Sequence, residues 1–235
     1  MNHWTLNNNI HISIILKGSC NVFLVAQNGK YLLVDTSTIR DSQKLIKQLT
    51  HQGVTEKNLT ALILTHAHFD HTKNAALIKE KFHPQVIANA QDADYLRQGD
   101  NAPIKSSWAV SRGLIDMGVR VIKKSLQYQP VEPDILVNDR FDLTPLGFDA
   151  YVMHTPGHTP GSMSVVVNNE IALVGDAMAG MFGSIFPLYA TDKQAVVASW
   201  KKLLDSGSSL FLPGHGGVNR RASVESQYRS HSKSL

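Results

Sequence analysis

The stretch His66-Ala67-His68-Phe69-Asp70-His71 puts three imidazoles and a carboxylate into six residues, directly after the apolar run Leu62-Ile63-Leu64. Imidazole is the commonest metal-binding side chain near neutral pH, and a carboxylate adds a harder oxygen donor. A polar loop could be rich in histidine by chance, but further donors follow the same rule. His66, His154, Asp176 and His215 each come at the end of a short apolar run. Strand ends followed by loops are where α/β proteins place their chemistry, because rigid strands aim side chains that loops leave accessible. Gly157, Gly175, Gly214 and Gly216 let backbone crowd around a compact site. A catalytic zinc takes three protein ligands and keeps one position open. The seven candidates His66, His68, Asp70, His71, His154, Asp176 and His215 exceed that need. They suit two ions sharing a carboxylate, which can hold a hydroxide between them as nucleophile. Nitrogen and oxygen donors allow Zn, Fe or Mn without selecting among them.

The elements that must position these groups are legible in outline. Val22–Val25 and Tyr31–Val34 flank Asn28-Gly29, the preferred pair for a tight hairpin turn, and the first forty residues read as antiparallel β. Leu45, Ile46 and Leu49 recur at helical spacing between Asp41 and Gln52. Leu59 to Thr65 reads as a strand, Lys73 to Phe82 as a helix, Gln85 to Ala88 as a strand and Asp92 to Arg97 as a short helix. Ile135–Val137 and Ala150–Met153 read as strands, the latter ending at His154. Ser164–Val167 and Ile171–Val174 form a second hairpin around Asn168-Asn169. Asp192 caps a helix with Ala195, Val196, Trp200, Leu203 and Leu204 on one face. Ser209–Leu212 is a last strand, and the tail from Arg220 reads as helical. Between Gln98 and Gln129 the pattern loosens into an inserted helical segment with Trp108, Ser111, Ile115, Gly118 and Ile122 at helical spacing. Its apolar residues Trp108, Val110, Leu114, Ile115 and Met117 make it a candidate wall of the cleft or a homodimer contact.

Composition narrows the class. The chain has 235 residues, 43% hydrophobic and 18% charged, which fits a globular protein and not a disordered one. A net charge of +4 comes from dispersed Lys and Arg, so no basic stripe for nucleic acid is present. Cys20 is the only cysteine, which excludes an intrachain disulfide framework and reads as a small buried thiol. No basic start precedes an apolar stretch and no apolar run approaches membrane-spanning length, so the expectation is a cytoplasmic protein with a small-molecule substrate and no membrane partner.

The run His66-x-His68-x-Asp70-His71, with His154, Gly175-Asp176 and Gly214-His215, resembles the metallo-β-lactamase-fold superfamily and the glyoxalase II-like and lactonase-like metallohydrolases within it. The resemblance implies one α/β domain over residues 1–235, a four-layer αβ/βα sandwich with a helical insertion at about 98–129 and the metals at one edge. It implies that His66, His68 and His154 hold the first ion, Asp70, His71 and His215 the second, and that Asp176 bridges them. Two divalent ions follow, zinc first, with iron or manganese as alternatives. Asp70 would also orient the attacking water, Asp35 would support the histidine loop, and His158 would lie in the loop beside the site without being a ligand.

The implied activity is hydrolysis of a small ester, thioester or lactone. Asp176 stands where the lactamase branches place Cys or Ser. Only about twenty residues follow His215, where glyoxalase II carries a helical domain that grips glutathione. Acyl-homoserine lactonases share the Thr155-Pro156-Gly157-His158-Thr159 type of loop but have a Tyr soon after the bridging Asp; here Ala177, Met178 and Ala179 follow. Persulfide dioxygenases, which use a single iron, keep the same histidine motif and stand as the alternative reaction class. A metal-binding module without catalysis is the third reading.

Overall fold

The computed structural model describes residues 3–107, 124–180 and 183–233. Trp108, Val110, Leu114, Ile115 and Met117, which carry the expected helical insertion, lie outside the described residues. Two sheets face each other. The first has seven strands in sequence order: β1 (His3–Leu6), β2 (Ile10–Lys17), β3 (Asn21–Gln27), β4 (Lys30–Val34), β5 (Leu59–Ile63), β6 (Gln85–Asn89) and β7 (Ile135–Val137). Helices α1 (Ser42–His51), α2 (Phe69–Thr72), α3 (Ala75–Phe82) and α4 (Ala93–Gln98) fall in its connections. The second sheet holds β8 (Arg140–Asp142), β9 (Ala150–His154), β10 (Met163–Val167), β11 (Ile171–Gly175), β12 (Leu210–Pro213) and β13 (Asn219–Arg220). Its helices are α5 (Lys193–Asp205) and α6 (Arg221–His231).

Side-chain alternation builds the layers. Along β3, Phe23 and Val25 enter the core between the sheets, while Val22 and Leu24 face α1 and α3 on the outside. Along β10, Val165 and Val167 join the central core, and Val166 meets Trp200 and Leu203 of α5. A strand whose neighbours on both sides are apolar is buried on two faces, which is why these strands read as continuous apolar runs. The result is helices, sheet, sheet, helices: the expected four-layer sandwich.

Local chemistry accounts for the joints. The β3–β4 turn places Asn28 and Gly29 at φ 51° and 77°, both left-handed, as its two-residue hairpin demands. Asn168 and Asn169 do the same at 52° and 53°. The Asp192 carboxylate accepts from the Ala195 amide at 3.0 Å and caps α5. No described helix is long and apolar enough to cross a membrane.

Direction matters most for function. β4, β5 and β6 run parallel, and so do β11 and β12. β9 and β11 each pair antiparallel with β10, so they share a direction. The carboxyl ends of β4, β5, β11 and β12 then deliver Asp35, the His66–His71 loop, Asp176 and His215. Loops at the carboxyl ends of parallel strands are where open α/β sheets bind ligands.

Candidate metal centre

The loop after β5 is tied down from three directions. The Thr65 amide and hydroxyl donate to the Asp35 carboxylate at 2.9 and 2.8 Å, and the Ala67 amide donates to Asp92 at 2.8 Å. The Phe69 amide donates to Asn101 Oδ1 at 2.7 Å. Asp35 itself sits at φ 62°, just past β4, a backbone turn that Asp tolerates better than most residues.

Four imidazoles meet here with their orientations fixed. His71 Nδ1 donates to Asp35 Oδ2 at 2.8 Å, His68 Nε2 to the Ala102 carbonyl at 3.2 Å, and His158 Nδ1 to the Tyr189 carbonyl at 2.7 Å. The Thr65 hydroxyl, already donating to Asp35, accepts from His66 Nδ1 at 3.1 Å. Each ring therefore keeps its proton on the outer nitrogen and turns the lone pair of the other inward. His158 Nε2 lies 3.0 Å from His68 Nδ1 and 3.2 Å from His66 Nε2. His71 Nε2 lies 3.3 Å from His215 Nε2.

These donors fit a cation. Lone pairs facing one another at such distances repel unless positive charge lies between them. Nitrogens around zinc at 2.0–2.1 Å in a tetrahedron would be about 3.3 Å apart, close to the spacing seen. Asp176 Oδ1 is buried without a hydrogen-bond partner and lies 3.4 Å from His71 Nε2. Asp176 Oδ2 faces His158 Nε2 at 3.6 Å and His215 Nε2 at 3.5 Å, and Asp70 Oδ2 lies 3.2 Å from His215 Nε2. A Cβ at Gly214 would come within 2.6 Å of both Asp176 Oδ1 and His71 Cε1, so only glycine leaves this cradle open.

Protonation agrees with that arrangement at three rings, whereas at His71 burial acts downward and is outweighed by Cys20, Asp35, Asp176 and Asp70. Burial, reinforced by neighbouring imidazoles, pushes His66 well down, and burial with His158 pushes His68 down to about 3. Burial also lowers His158. These three are neutral at neutral pH, as donors to a metal must be. For Asp70 and Asp176 burial acts upward but the surrounding histidines outweigh it, and both carboxylates stay ionised. Asp176 draws His215 upward against burial.

Among the described residues, the donor groups within 4.8 Å of one another are His66, His68 and His158; Asp70, His71 and His215; and His66, His71 and Asp176, besides Cys20 with Asp35 and His71. Six of the seven expected residues therefore come together, and His154 does not. It is partly exposed at the end of β9, and its Nε2 donates to the Pro160 carbonyl at 2.7 Å. The loop beyond it supplies His158 instead. Gly157, at φ 132°, lets that loop turn under the start of α5: Thr191 and Asp192 donate to the Gly157 carbonyl, and a Cβ at Gly157 would lie 2.4 Å from the Val196 nitrogen. His158 is thereby carried inward as β9 ends short of the cluster. Cys20 is buried, and burial pushes its thiol up to about 11, which keeps it neutral.

Asp92 is a residue that sequence reasoning did not single out. Its Oδ2 accepts from the Ala67 amide, between His66 and His68, and from the Thr159 hydroxyl, beside His158, at 2.8 and 3.2 Å. One oxygen so fastens the two loops that carry the first donor set. In sequence it is a single Asp before a short helix, indistinguishable from an ordinary cap. Replacing Asp92 by Ala, which leaves both donors without their acceptor, is expected to weaken metal retention by the first set by about 10–100-fold, as loss of outer partners of ligands does. Competition with a chromophoric chelator measures it, and unchanged affinity would show that the two loops hold their positions without Asp92.

The metallo-beta-lactamase superfamily profile matches residues 15–215, and the chain belongs to that superfamily. A probable metallo-hydrolase of Methanocaldococcus jannaschii is 26% identical over 160 residues, covering 68% of each chain. The hydroxyacylglutathione hydrolase GloC of Haemophilus influenzae is 25% identical over 182 residues, covering 75% of this chain and 76% of that one. Among solved structures, a metallo-beta-lactamase of Cronobacter sakazakii with a HARLDQ motif superposes with a TM-score of 0.68 over 100% of this chain and 93% of the other, at 15% identity. That likeness concerns the fold.

Proposed function

We propose that the chain is a metal-dependent hydrolase of a small ester, thioester or lactone, with two divalent ions side by side. The observation that carries this reading is the pair of donor sets meeting at one carboxylate: His66, His68 and His158 would hold one ion, Asp70, His71 and His215 the other, with Asp176 shared. Bound there, such ions supply Lewis acidity, polarising a carbonyl oxygen and lowering the pKa of water toward neutrality. The chain does the rest. Asp35, Thr65, Ala102 and Tyr189 hold the four inner imidazoles in one tautomer, so no rearrangement is needed before substrate arrives. Asp70, ionised and partly accessible at the cleft floor, would orient the attacking water through a carboxylate oxygen. A relative named as a hydroxyacylglutathione hydrolase supports cleavage of an acyl derivative.

A panel of lactones, thioesters and phosphoesters, assayed with protein loaded with Zn or Mn, tests the proposal. Turnover of carbonyl substrates, lost on chelation and restored by metal, is expected. Turnover of phosphoesters alone, or oxygen consumption with glutathione persulfide in place of hydrolysis, would overturn it.

A further inference from the structure

We infer that the cleft selects an uncharged substrate with an apolar acyl part, an inference that rests on the hydrolytic function just proposed. The cleft over the donor cluster has a volume of ≈ 320 Å³, at the lower end for small-molecule sites. Its floor is the donor set itself. Its walls are mostly apolar, with Phe69, Ile104, Leu126, Met178 and Leu188 beside Tyr189, and no Lys or Arg lines it among the described residues. Lys73, beside this wall, is engaged elsewhere: its Nζ donates to the Ser125 carbonyl at 2.7 Å and lies 5.4 Å from the Phe69 ring centre. A carboxylate at the far end of the acyl part would give up its water to meet these apolar side chains, and no Lys or Arg among the described residues lines the cleft to receive it.

The walls are also fixed to one another, so their shape exists before substrate enters. The Ser107 hydroxyl and amide donate to the Pro187 and Leu188 carbonyls at 2.7 and 3.0 Å, and the Ala190 amide donates to the Lys105 carbonyl at 2.9 Å. Asn101 joins the other side, accepting from the Phe69 amide and donating to the Leu126 carbonyl at 3.1 Å. Ile104 and Leu126 belong to the described ends of the stretch between Gln98 and Gln129, which thereby contributes to the wall. Leu188 remains 49% exposed at the rim, an apolar surface that an acyl chain would cover.

p-Nitrophenyl acetate, butyrate and hexanoate, compared with the mono-p-nitrophenyl ester of adipic acid, test the inference on the metal-loaded protein. The value of kcat/KM is expected to rise about threefold per added methylene. The adipate monoester, as long as the hexanoate but ending in a carboxylate, should fall at least about 30-fold below it. Leu188→Lys should narrow that gap about tenfold with metal content unchanged. Calorimetry with hexanamide, which is not turned over, should show binding with a negative heat-capacity change. Hydrolysis indifferent to chain length and to the terminal carboxylate would overturn this inference and leave the hydrolase intact. Binding of hexanamide with no hydrolysis of any ester would uphold the apolar wall and overturn the proposed reaction instead.

Discussion

His158→Ala is expected to release the ion held by the first donor set and to lower kcat/KM by more than about 100-fold, whereas His154→Ala leaves metal content and turnover close to wild type. Loss of an outer partner alone costs 10–100-fold, so loss of a ligand exceeds it. His158 Nε2 is the atom that faces both His66 and His68, and its other nitrogen is fixed by the Tyr189 carbonyl. His154 makes its ring contact with the Pro160 carbonyl, outside the cluster. Its removal perturbs one partly exposed hydrogen bond, worth about 0.5–1.5 kcal/mol of stability. Metal analysis and steady-state kinetics on both variants check the contrast. Equal metal loss in the two would mean that the loop from Thr155 to Gly161 rearranges and that His154 ligates after all.

Asp176→Ala is expected to have opposite effects with and without metal. With metal it should reduce bound ions to at most one per chain and kcat/KM by more than about 100-fold, because this carboxylate faces His71, His158 and His215 at 3.4–3.6 Å. Without metal it should not destabilise the fold. Asp176 Oδ1 is buried with no hydrogen-bond partner, so its removal relieves a desolvation cost of about 1–3 kcal/mol that offsets the lost attraction to His215, His71 and His158. Ligands stabilise in proportion to how tightly they bind the native state, so the rise in Tm on adding Zn or Mn should shrink in the variant. Thermal unfolding with and without chelator measures both. A metal-free Tm well below wild type would show that Asp176 also holds the apo structure together.

Much of this was legible in the residues because the fold writes apolar runs directly before its donors. Three of the expected residues stand where parallel strands end at the site edge: His66 follows β5, Asp176 follows β11 and His215 follows β12. At β9 a Gly157-centred turn carries the chain onward by four residues before an imidazole points inward. Strand ends can be found from hydropathy, but the aim of a loop depends on what it packs against, here the start of α5. β2 illustrates a different limit: Ile10, Ile12 and Ile14 alternate into the central core, a period-two pattern plain in retrospect but interrupted by a bulge at Ile14–Leu16. β8 has only three residues, too few for any periodicity to register. Asp92 was invisible for a physical reason: it joins two loops that lie 25 and 67 residues away from it in sequence.

Metal analysis of protein purified without chelators tests most directly whether this edge of the sandwich holds two ions per chain. Two equivalents of divalent metal per chain are expected after supplementation with Zn or Mn, falling to one or none in Asp176→Ala. One equivalent per wild-type chain, unchanged by supplementation with either metal, would contradict it.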